Sequence, residues 1–131
     1  MQTKNTPDKK KIIGNRGEAI AAKFLMVHKK YTLERQNIHA QGGEIDLLMK
    51  NPDGEWVVIE VKTRTSDAFG SGKSAITKAK FTKMLSATRD FFLKQQKVRE
   101  MPFFLVEAVI LRIENGKFFC EHIQNIGHDS F

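Results

Sequence analysis

Two runs of alternating side chains, Gly43 to Lys50 and Glu55 to Arg64, are joined by Asn51-Pro52-Asp53-Gly54, and this joint constrains the fold more than any other part of the chain. Pro52 fixes φ for a type I turn and Gly54 supplies the left-handed position after it, so Pro52 to Gly54 forms a short hairpin loop. Asn51 then stands opposite Glu55, Asp46 opposite Glu60, and Glu44 opposite Lys62. Side chains alternate faces along a strand. Glu44 and Asp46 therefore point one way and Ile45, Leu47 and Met49 the other, while Glu60, Lys62 and Arg64 separate from Val57, Ile59 and Val61. The expected register brings both charged stripes to one side of the sheet.

Two carboxylates facing each other across a strand pair repel unless something positive sits between them. A hard divalent cation such as Mg²⁺ takes carboxylate oxygens, keeps waters and orients them toward a phosphate. Lys62 would place an ammonium beside the same cluster, where it can position a water or offset charge on a phosphoryl oxygen. That is the chemistry of phosphodiester hydrolysis. An amphipathic hairpin with a solvated charged face, Lys62 simply pairing with a carboxylate, fits the same pattern.

The rest of the chain supplies the frame. Residues 1–13 are basic and lack periodicity, which predicts a loose N-terminal arm, with a single domain over residues 14–131. Gly14 to Lys30 predicts a largely buried helix, with Glu18, Ala21, Ala22 and Leu25 in one row and Ile20, Phe24 and Val27 in another. Tyr31 to Ile38 predicts a strand ahead of the hairpin. After a small-residue loop at 65–72, Lys73 to Lys97 predicts a helix burying Phe81, Met84, Leu85, Thr88 and Phe92. Strands follow at Phe103 to Ile113 and Lys117 to Ile123, joined by an Asn115-Gly116 turn. The order α-β-β-β-α-β-β predicts an α/β domain, a mixed β-sheet flanked by two main helices.

Composition narrows the partners. The chain has 131 residues, 22 Lys and Arg against 15 Asp and Glu, and a net charge of +7, which favours polyanions. No apolar stretch reaches the length of a membrane-spanning helix, so no membrane partner is expected. The sole cysteine, Cys120, suits a reducing cytoplasm, the expected location. Helix two carries Lys73, Lys78, Lys80, Lys83, Arg89, Lys94 and Lys97 against Asp90 alone. A solvated face accounts for most of these; Lys78 and Lys80 lie near the helix start, where substrate would approach, and Arg16 and Arg64 are further candidate phosphate contacts. Gly70 to Ser74 looks like a phosphate-binding loop, but Asp67 stands where that motif needs glycine. His28, His39, His122 and His128 show no ligand spacing, and surface or capping roles are expected for them. Trp56 is expected to pack. Asn15 and Glu18 have the spacing of a capping box, an alternative role for Glu18.

The blocks GNRGEAIAAKFL, GGEIDLLMKNPDG, WVVIEVKTR, FGSGKSAITKAKFTKML and HIQN resemble, in order, those of the YraN-like family of small bacterial proteins, from about Gly14 to Asn125. That family is similar to the PD-(D/E)xK nuclease superfamily, with a restriction-endonuclease-like fold and similarity to archaeal Holliday junction resolvases. The resemblance implies that Asp46, Glu60 and Lys62 are the signature residues, that Glu18 is a further acidic site residue, and that Lys80 matches a family lysine. Relatives usually carry an Arg-Phe-Asp block in strand four, where this chain has Phe103-Phe104-Leu105.

Together these readings predict a Mg²⁺- or Mn²⁺-dependent endonuclease. Asp46 and Glu60, with the Val61 carbonyl, would hold an ion. Glu18 would hold a second ion or a water, and Lys62 would position the attacking water. Arg16, Arg64, Lys73, Lys78 and Lys80 would bind DNA, including branched recombination intermediates, whose symmetry suits a homodimer. The competing reading is a nucleic-acid-binding module that keeps the fold without turnover.

Overall fold

The computed structural model describes residues 9–64 and 76–131. Helix α1 (Lys9–His28) leads into a meander of β1 (Thr32–Ala40), β2 (Gly43–Lys50) and β3 (Trp56–Arg64). Helix α2 (Lys78–Asp90) then connects β3 to β4 (Phe104–Glu114), which turns back into β5 (Lys117–Ile123). The five strands form one sheet in sequence order, with β3 and β4 parallel and every other pair antiparallel. A parallel pair needs a long crossover, and α2 provides it. This is the expected element order, a mixed β-sheet flanked by two main helices. Among the described residues no helix is long and apolar enough to cross a membrane.

Strand periodicity distributes the core over both faces. Ala21, Ala22 and Leu25 of α1 pack with Leu47, Met49, Val57, Ile59, Val109 and Leu111. On the other face Phe81, Met84 and Ala87 of α2 pack with Leu48, Val58, Val106, Ala108 and Ile110. The central strands β3 and β4 are therefore covered on both sides, which is why their sequences run nearly continuously apolar.

The hairpin register is the one that the turn chemistry predicts: Lys50, Met49, Leu48 and Leu47 pair with Trp56, Val57, Val58 and Ile59. Gly54 takes φ 80°, and the Asn51 side-chain carbonyl accepts from the Asp53 and Glu55 amides. Beyond Leu47 two expectations fail. Ile45 packs with the α2-side cluster, although Leu47 and Met49 face α1, so the alternation breaks at Asp46. On the neighbouring strand Asn37 turns to φ 53° between the Gln36–Leu47 and Ile38–Ile45 pairs, a left-handed residue that interrupts the pleat opposite Asp46. Glu44 consequently pairs across to His39, 3.1 Å away, instead of facing Lys62.

The helix boundaries also differ. α1 begins at Lys9, so residues 9–13, expected in the arm, are helical; residues 1–8 lie outside the described region. Asn15 is thus interior to the helix, and the capping-box reading of Glu18 falls. α2 begins at Lys78, capped by the Thr77 hydroxyl accepting from the Lys80 amide at 3.0 Å. Lys73 and the Gly70 to Ser74 loop lie outside the described residues. Past Asp90 the helix widens into a π-helical turn, Phe91–Gln95, just after Thr88 turns its hydroxyl onto the Met84 carbonyl at 2.7 Å. Phe91 and Phe92 in this turn are both buried. Trp56 packs edge-on against Phe92, as expected of a packing residue. His122, expected at the surface or in a cap, is buried against Glu107 at 2.7 Å; the other three histidines are exposed.

Candidate active site

Where β2 leaves β3, the free end of the hairpin collects charge. Glu60 lies on β3, buried, with its side chain on the face that carries Val58 and α2. Two ammonium groups converge on its Oε2: Lys62 Nζ at 3.1 Å from the same strand and Lys80 Nζ at 3.5 Å from the first turn of α2. Asp46 occupies the break in the pleat. With no backbone partner on β3 at that point, the Val61 amide donates to Asp46 Oδ2 at 2.9 Å. The strand irregularity thus turns a ladder position into a side-chain site, holding Asp46 beside Glu60.

This juxtaposition is electrostatically costly. Burial pushes the Asp46 carboxyl up to about 8, helped by the Glu60 charge and a hydrogen bond shared with Glu60; the Val61 amide opposes the shift, and the Glu18 charge adds to it. At neutral pH the Asp46 carboxyl keeps its proton, which relieves its repulsion with the neighbouring Glu60.

Glu18 approaches from α1. That helix meets the sheet closely at Gly17, where a Cβ would lie 2.9 Å from the Thr63 hydroxyl oxygen and 3.1 Å from Leu111 Cδ1. Glu18 Oε1 is buried without a hydrogen-bond partner, and its carboxyl is raised by burial, then by the charges of Glu44 and Glu60. A buried acceptor left unpaired is uncommon and asks for a cation or water. Among the described residues no three His, Cys, Asp or Glu side chains stand close enough to form a ready-made cage, so Glu18 is a satellite of the Asp46–Glu60 pair. Hard oxygen donors, a like-charge pair and an orphaned carboxylate oxygen fit Mg²⁺ or Mn²⁺, with water completing the shell.

Of the remaining expected residues, Arg16 and Lys78 are exposed. Arg64 is half-buried and donates to the Thr63 carbonyl at 3.2 Å. Lys80, expected to contact nucleic acid, lies against Glu60 inside the cluster. Sequence reasoning missed that role and the Val61 clamp, because both depend on where α2 and the bulged strand sit in space. The one local cue is the Thr77 cap, which fixes Lys80 in the first turn.

A mixed α/β frame with a half-buried aspartate beside a buried glutamate and two lysines, at the parting of two central strands, defines the class of protein. The chain belongs to the family described as Uncharacterised protein family UPF0102, whose pattern matches residues 17–112. It is 37% identical over 119 residues to a UPF0102 protein of Bifidobacterium longum, covering 88% of this chain and 92% of that one. A UPF0102 protein of Syntrophomonas wolfei is 35% identical over 113 residues, covering 86% and 95%. One of Geobacter metallireducens is 34% identical over 116 residues, covering 88% and 91%. Among solved structures, one titled Crystal structure of SSO0001 aligns with a TM-score of 0.39 and 16% identity; the alignment covers 93% of this chain, which spans 55% of that one.

Proposed function

We propose that this protein is a metal-dependent endonuclease of the PD-(D/E)xK type that hydrolyses phosphodiester bonds in DNA in the bacterial cytoplasm. The observation that carries the reading is the half-buried Asp46 held beside the buried Glu60, with Asp46 pushed up to about 8 and two lysines on Glu60. A structural ion pair would match one acid to one base; this cluster places two acids together and leaves a third, Glu18, unpaired.

Asp46, Glu60 and the Val61 carbonyl would hold Mg²⁺ or Mn²⁺, which supplies positive charge at the scissile phosphate and acidifies a water. Lys62, whose Nζ lies 3.1 Å from Glu60 Oε2, would orient the attacking water. Lys80, whose Nζ lies 3.5 Å from the same Oε2, would offset charge on the phosphoryl oxygens. Glu18 Oε1 accepts a hydrogen bond from a water of the site and takes up a proton as attack proceeds. The exposed cations Arg16 and Lys78 hold flanking phosphates, a sequence-independent contact that weakens with salt.

The test is incubation of the purified protein with duplex, single-stranded and branched DNA, with and without Mn²⁺. Cleavage is expected only with the metal and only with Asp46 intact. Undiminished cleavage by Asp46→Ala would reject the assignment. A second reading, a DNA-binding module without turnover, draws on Phe103-Phe104-Leu105, where relatives usually have Arg-Phe-Asp. It predicts salt-sensitive DNA binding, no cleavage, and no heat of Mn²⁺ binding in calorimetry.

A further inference from the structure

The two edges of the sheet are built differently. β1 is polar along most of its length, its register shifts between Leu33 and Arg35, and Asn37 takes φ 53°. Irregular, polar edges of this kind resist pairing with another strand. β5 carries Lys117, Glu121 and His122 but no irregularity. It follows β4 without a break from Glu114–Lys117 to Ala108–Ile123, and it leaves Phe118 40% and Phe119 50% exposed. Among the described residues no strand pairs with the outer edge of β5, and an evenly registered edge with exposed aromatic side chains is a template for strand addition.

We propose that β5 is a homodimer interface, pairing antiparallel with β5 of a second copy about a twofold axis at Phe119 and joining two five-stranded sheets into one. The side-chain pattern selects both the occupant and the register. An axis at Phe119 sets Lys117 opposite Glu121 of the partner subunit at both ends of the pairing. It brings the two Phe119 rings together and places Phe118 against Cys120 of the partner subunit. Opposite charges and aromatic pairs at facing positions stabilise a sheet, and like charges do not. An axis at Cys120 would set Phe119 against Glu121 of the partner subunit, and an axis at Glu121 would bring two carboxylates together. An axis at Phe118 would pair only the first residues of the strand. The Lys-x-Phe-x-Glu run from 117 to 121 is therefore self-complementary in one antiparallel register, which is what an isologous interface requires. Within its own chain Glu121 meets Arg112 Nη2 at 3.3 Å, so its carboxylate is anchored at the rim. A strand pair this short buries less than a standard interface of about 1,600 Å², so a micromolar dimer is expected.

Sedimentation or light scattering of the full chain over a range from about 1 to about 300 μM tests the proposal. The mass should rise from 15.0 kDa toward twice that value. Lys117→Glu or Glu121→Lys alone should hold the protein monomeric, and the double reversal should restore the dimer. Phe119→Cys in a Cys120→Ser background should give a disulfide-linked dimer under mild oxidation, because facing Cα atoms lie within bridging distance. The natural Cys120 should not crosslink. A monomer at every concentration, a dimer indifferent to the single reversals, or crosslinking through Cys120 would overturn the interface. The outcome is separable from the nuclease reading: a monomer that cuts DNA rejects only the dimer, and a dimer that does not cut rejects only the enzyme.

Discussion

Glu60 and Glu107 sit on adjacent parallel strands, one register step apart, with relative exposures of 3% and 2%. They face opposite sides of the sheet and live in different chemistry. Glu107 Oε1 accepts the Tyr31 hydroxyl at 2.8 Å and meets His122 Nε2 at 2.7 Å, and Gln124 donates to the Tyr31 oxygen at 3.5 Å. The Tyr31 phenol is raised by burial and by its bond to Glu107, as expected of a donor locked onto a carboxylate. Every partner of Glu107 is a donor. Glu60 has two lysines on one oxygen and a second acid alongside. Equal burial with unequal surroundings separates a carboxylate matched to donors alone from one that shares its site with a second acid.

Substitutions that treat the two glutamate neighbourhoods alike should give opposite readouts. The largest effect is on turnover: Lys62→Ala should lower kcat by about 10²–10³-fold, the usual loss when a charge-stabilising group is removed from an active site. Glu107→Gln should leave kcat within about 3-fold at a temperature where both proteins are folded. If Glu107→Gln lost activity as severely, the division of labour would be wrong.

Stability should rank the other way. Glu107→Ala leaves His122 and Tyr31 without their acceptor, and breaking a buried pair of this kind costs about 3–5 kcal/mol. Urea melts would show it as a lower midpoint with an unchanged slope.

Asp46→Asn should instead stabilise the metal-free protein. Because burial and Glu60 raise the Asp46 carboxyl to about 8, the folded state keeps a proton that the unfolded chain releases near pH 4. The stability carried by that proton is complete below about pH 4 and is lost as pH rises through about 8. Asparagine keeps the acceptor for the Val61 amide and donates to Glu60 at any pH. A gain on the order of 1–2 kcal/mol is expected at pH 8, shrinking to nothing near pH 4. Equal stabilisation at both pH values would show that the two acids do not share a proton. The same variant should bind Mn²⁺ weakly in calorimetry, and Mn²⁺ should raise the melting temperature of the natural protein while leaving that of the variant unchanged.

The smallest effect tests how Lys80 is aimed. Thr77→Ala removes the cap acceptor for the Lys80 amide and should cost about 1 kcal/mol, read by thermal melting. Its drop in kcat should be slighter than that of Lys80→Ala.

Much of this was legible before any fold was known, for identifiable reasons. Pro52 and Gly54 set the hairpin register, and alternation assigned Val57 and Ile59 to one face and Glu60 to the other. What failed did so at Asp46. A pleat alternates only while its neighbour does, and the left-handed turn at Asn37, on a different strand, moved Ile45 to the other face and released Glu44 to His39. The network around Glu107 was hidden for a similar reason: Tyr31, Glu107 and His122 come from the start of β1, β4 and β5, and no local spacing marks them as partners.

The sequence alone determined the turn, the strand register, the acid and lysine types on one face, and the basic excess, because each depends on bond geometry or on charges within a few residues. Only the tertiary structure decided that Lys80 joins Glu60, that Glu18 arrives beside it with an unpaired oxygen, and that Glu107 is fully satisfied. Those outcomes turn on how closely α1 and α2 approach the sheet, which is set by packing between segments far apart in the chain.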